Sequence, residues 1–70
     1  MKYLVIFEQG RDSWGAYVPD LPGCAVVGET EDEARRLIHD AIALHLEGMR
    51  QDGDEIPAPT TRSEYYEIAV

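Results

Sequence analysis

Apolar and polar positions change period several times along the chain, and each change marks an element. Lys2–Glu8 is an apolar run, with Tyr3, Val5 and Phe7 on one face and Leu4 and Ile6 on the other, too short for a helix. Such a run predicts a central strand covered on both sides. Gln9–Ser13 places Gly10 and Asp12 between two strand-like runs and reads as a hairpin loop, so Trp14–Val18 follows as an antiparallel second strand. Ala25–Gly28 predicts a third strand, ending at a glycine where backbone needs room. The period then lengthens: Ala34, Leu37, Ile38, Ala41, Ile42, His45 and Met49 form one helical stripe, with Arg35, Arg36, His39, Glu47 and Arg50 off it. Gly53 is placed to end that helix, and Pro57 and Pro59 forbid its continuation. After this linker Ser63–Val70 alternates again, Tyr66, Ile68 and Val70 opposite Tyr65 and Glu67, as a half-buried fourth strand would. The predicted class is α+β: a small antiparallel sheet with one long helix packed on one face, in the order β-β-β-α-β, in a single domain spanning residues 1–70.

Between the second and third strands the chain must turn a corner. Pro19 and Pro22 fix their own φ and push Val18 and Leu21 towards extended geometry, and Gly23 supplies the freedom to reverse. Leu21, alone and apolar in that corner, is explained if it tucks inward and pins the loop. Gly28 precedes Glu29-Thr30, and Thr30 with Glu33 has capping-box spacing, so the helix is predicted to begin at Glu31. Glu31 and Asp32 favour the positive end of the helix dipole and stand four residues before Arg35 and Arg36, which explains those arginines without a ligand.

Composition narrows the chemistry. Fourteen Asp and Glu against six Lys and Arg give a net charge of −8, which disfavours contact with phosphate backbones and favours basic partners. A chain of 70 residues leaves much of its surface exposed, and a first strand apolar on both faces outstrips what one helix can cover, so a dimer or tetramer is expected. One cysteine forms no internal disulfide, and no leader or membrane-spanning run is seen, so the expectation is a cytoplasmic protein.

Candidate catalytic groups are sparse. His39 and His45 fall on different sides of a helix, and with one cysteine no zinc-site spacing exists. Cys24 has no Lys, Arg or His close in sequence to stabilise a thiolate and reads as a structural thiol. The acidic cluster around Glu31 reads as dipole compensation. No enzyme activity and no cofactor are expected. Aromatic side chains in the tail are the better candidates for contact, and of the adjacent tyrosines Tyr65 is the one that strand alternation turns outward if Tyr66 faces in.

Tyr17-Val-Pro-Asp-Leu-Pro-Gly-Cys24, followed by Gly28-Glu-Thr30 and Glu33-Ala34 opening a helix, resembles the HicB-like antitoxins of toxin–antitoxin pairs. The N-terminal strand and Gly53 with Ile56-Pro57-Ala58-Pro59 extend the resemblance over nearly the whole chain. It implies a partial ribonuclease-H-like arrangement. It also implies a function: binding a small basic HicA-like toxin, an mRNA-cleaving ribonuclease, and occluding its RNA surface. The acidic charge gives a physical reason for such a match. Asp20, Leu21, Tyr65 and Glu67 are the candidate partner-binding residues, and Pro19, Pro22, Gly23, Gly28, Thr30 and Glu33 the structural motif. Many members of that family continue into a DNA-binding segment, and none is seen before Val70, so no direct binding of nucleic acid is expected. The competing reading is an orphan oligomeric domain with a structural or small-molecule-binding role.

Overall fold

The computed structural model describes residues 1–70. It contains β1 (Ile6–Gln9), β2 (Trp14–Tyr17), β3 (Ala25–Gly28) and α1 (Glu31–Gln51), an α+β fold whose antiparallel sheet has the order β1-β2-β3. The register aligns Phe7, Ala16 and Val26 on one face and Ile6, Tyr17 and Ala25 on the other. The first set faces α1, and its core is completed by Val18, Leu21, Cys24, Ala34 and Ile38, with Tyr3, Val5, Trp14, Ala41, Ile42 and Leu46 packed around it. The helix lies mainly over β2 and β3, so the first strand, expected to be central and covered on both sides, is instead the thinly covered edge.

β1 is shorter than its apolar run. Ile6 is already opposite Tyr17, so residues before it would face Val18 and Pro19, where the chain leaves the sheet and proline has no amide to donate. The corner itself closes through three backbone bonds: Val18 N–H to the Cys24 carbonyl, Leu21 N–H to Val18 and Cys24 N–H to Leu21, at 3.0–3.1 Å. Leu21 is fully buried beneath them, and Gly23 sits at φ 86° in the left-handed region.

Thr30 caps α1, its Oγ1 accepting from the Glu33 amide at 3.0 Å, while Glu33 Oε1 accepts from Glu29 N–H, one residue earlier than the usual box. Gly28 allows this start to sit on the sheet: a Cβ there would lie 2.8 Å from the Ala34 amide nitrogen. At the far end Gly53 has φ 74°, its N–H bonds the Arg50 carbonyl, and Asp54 N–H bonds Met49, the two bonds of a Schellman motif.

Three further expectations need correction. Leu37 is 40% exposed at the edge of the helical stripe, and Leu46, on its opposite edge, packs in the cluster instead. Arg35 pairs with both Glu31 and Asp32, so the expected Asp32–Arg36 pair does not form. Most consequentially, Ser63–Val70 makes no strand: every residue there is exposed, and no hydrogen bond joins it to the rest of the chain. Alternation states which side chains share a face, but a strand also requires an edge to bond, and within one chain this segment bonds none.

Candidate partner-binding surface

The face of the sheet opposite α1 has no cover. Ile6, Tyr17 and Ala25 align across it, with Val27 opposite Gly15, and Leu4 lies two residues before Ile6. Val27 is 69% exposed and Tyr17 37%. This second apolar face is the one anticipated from the two-sided first strand, and it faces solvent in a single chain.

The tail begins from fixed points. The Tyr3 hydroxyl donates to the Pro57 carbonyl, tying the linker to the start of the chain. Asp20 then holds both Thr60 and Thr61: its Oδ2 accepts their amides at 2.9 and 3.0 Å, and its Oδ1 their hydroxyls at 3.2 and 2.6 Å. These bonds to the charged form, chiefly from the Thr61 hydroxyl and then its amide, lower the Asp20 pKa from the ordinary carboxylate value. From Thr61 the chain passes the free edge of β1, where Ser63, Glu64 and Tyr65 with Leu4–Phe7 line a groove of about 480 Å³.

The four candidate contact residues therefore separate. Leu21 is in the core and cannot meet a partner without unfolding the corner, so its role is to pin the loop. Asp20 is occupied by the two threonines. Tyr65 and Glu67 stand in the open tail, but so does Tyr66 at 79% exposure, so alternation did not turn one tyrosine inward. The Asp20 latch is the feature that residue-by-residue reading missed: it joins positions 40 residues apart and leaves no local signal, whereas the open sheet face has one in Leu4 and Ile6.

Charge on this molecule is mostly negative, and two of its six basic side chains are held in ion pairs. Arg35 is paired with Glu31 and Asp32 and lies 5.3 Å over the Phe7 ring, and Arg50 pairs with Glu47. Cys24 is buried, and desolvation pushes its thiol pKa up, away from the thiolate a nucleophile needs. His39 and Asp40 are exposed neighbours 3.6 Å apart, while His45 is half-buried with no protein hydrogen-bond partner. No helix is long and apolar enough to cross a membrane.

Comparison with known proteins agrees with this frame. The chain is 37% identical over 65 residues to an uncharacterized protein of Haemophilus phage HP1, covering 93% of this chain and 49% of that one. It is 33% identical over 66 residues to Antitoxin HicB 2 of Photorhabdus laumondii, covering 94% of this chain and 48% of that protein. Against a UPF0150 protein of Archaeoglobus fulgidus it is 34% identical over 59 residues, 80% of this chain and 86% of the other. The chain thus spans about half the length of the phage and Photorhabdus relatives. No solved structure matches. The family described as HicB-like antitoxin of bacterial toxin–antitoxin systems matches residues 3–68, and this chain belongs to it.

Proposed function

We propose that this chain is the toxin-neutralising part of an antitoxin, acting as a binding protein without enzymatic activity, in the cytoplasm, on a small basic HicA-like ribonuclease. The observation that carries the reading is the family match over residues 3–68. Physical support comes from the surface: a net charge of −8 draws a basic partner and repels the RNA that partner cuts. Neutralisation is then occlusion. An acidic domain seated on the toxin's RNA-binding surface competes with the phosphate backbone for the same cations.

Within the chain, Tyr65 is the preferred apolar anchor and Glu67 a charge at its rim, since aromatic side chains dominate contact energy while exposed charges act mainly on encounter rate. Asp20 contributes indirectly, by holding the segment that carries them. The test is co-expression with a small basic HicA-like toxin. Growth should be rescued and the two proteins should co-purify; continued toxicity with no complex would exclude the reading.

A further inference from the structure

We propose that Ser63–Val70 is the fourth strand of a second copy's sheet: two chains exchange tails, each bonding to the free β1 edge of the other. The segment has the composition of a strand and none of its bonds. Tyr66, Ile68 and Val70 alternate with Tyr65 and Glu67, yet all eight residues are exposed and no backbone N–H or C=O among them has a partner in its own chain. β1, at the edge of the sheet and thinly covered by α1, presents an unpaired row of the same groups. An exposed apolar edge and an exposed apolar strand in one molecule are complementary, and a second copy supplies both at once.

The hinge explains why exchange is preferred to closure within one chain. Pro57 and Pro59 stiffen the linker, and Asp20 fixes Thr60 and Thr61, so the tail is aimed before it starts. It passes its own edge across the groove at Ser63–Tyr65 without bonding and then projects, stretching the molecule to 49 Å against 27 and 16 Å in the other directions. A linker held in this way resists doubling back along its own edge.

Surface area gives the same answer. The chain exposes 5761 Å², whereas a compact monomer of 7.9 kDa would expose about 4400 Å². The excess, about 1400 Å² per chain, is more than the roughly 800 Å² each partner contributes to a standard interface. Reciprocal exchange would bury it symmetrically, as a two-fold dimer requires, and would bring the open face bearing Leu4, Ile6 and Tyr17 towards its equivalent.

The experiment is amide hydrogen exchange on the full chain across a dilution series, with sedimentation run in parallel and no toxin present. Dimers are expected, with amides 64–70 protected by about 100-fold or more, and that protection should be lost together with the dimer on dilution. Tyr66→Pro, which removes a ladder donor from a residue that is unbonded within one chain, should give a folded monomer with a freely exchanging tail. Tail amides protected in a monomer would mean closure on the chain's own edge. Unprotected tail amides in a dimer would mean that the copies meet elsewhere. Either result overturns the proposal.

Discussion

Gly23 and Gly28 are both required, for different physical reasons, and substitution separates them. At Gly23 nothing crowds an added Cβ, but φ is 86°, so Gly23→Ala should cost about 1 kcal/mol through backbone strain alone. At Gly28 a Cβ would press on the backbone of the first helical turn, 2.8 Å from the Ala34 nitrogen, and Gly28→Ala should cost roughly 1–3 kcal/mol by forcing helix and sheet apart. Urea midpoints check both; an unshifted midpoint for Gly28→Ala would mean the contact relaxes freely. Asp20 carries the pH dependence at this scale. Its carboxylate is held below the ordinary range by bonds present only when it is charged, so the latch stabilises the folded segment above the ordinary aspartate pKa. That stability declines as pH falls and is gone below Asp20's own lowered value. Amide exchange at Thr60 and Thr61 should therefore quicken in acid, and in Asp20→Ala it should be fast at every pH, with the core's melting unchanged.

For whole elements, sequence pattern was legible wherever both partners of a contact lie close together in the sequence. The corner from Pro19 to Gly23, the Thr30 cap, the Gly53 stop and the three-stranded meander were all readable, because each depends on neighbours a few residues away. The helix stripe was readable to within its edges: Leu37 and Leu46 flank the same face, and which of them is covered depends on where the sheet ends beneath the helix, which periodicity does not state. Substitution makes the difference measurable. Ile38→Asp buries a charge at a site 3% exposed and should lose more than the about 2–5 kcal/mol of simple truncation, enough to unfold a domain this small. Leu37→Asp should shift stability by no more than about 0.5 kcal/mol, as at other open positions. Thermal melts followed by circular dichroism check both. Of the candidate contact residues only those in the tail were placed at the surface as expected. Leu21 was legible as a pin and was misplaced as a contact, because an apolar residue in a polar corner fits both descriptions until its burial is known.

At the scale of the molecule, two unsatisfied surfaces and one charge imbalance define what the chain can do. The uncovered sheet face and the tail are the surfaces on which the proposed self-association rests, and the −8 charge favours a basic partner. These act on different rates: long-range charge speeds encounter and weakens as salt rises, while an apolar anchor such as Tyr65 controls departure. Raising salt from about 0.05 to 0.5 M should slow association with the toxin markedly and alter dissociation little, and Tyr65→Ala should do the reverse. Surface plasmon resonance reads both in one series. The most direct test of the antitoxin reading is to titrate the pure chain into a small basic HicA-like toxin while that toxin cleaves a labelled RNA. Cleavage should fall to zero at a fixed molar ratio, with no binding of the RNA by this chain alone; cleavage that continues at full rate in excess chain would contradict it.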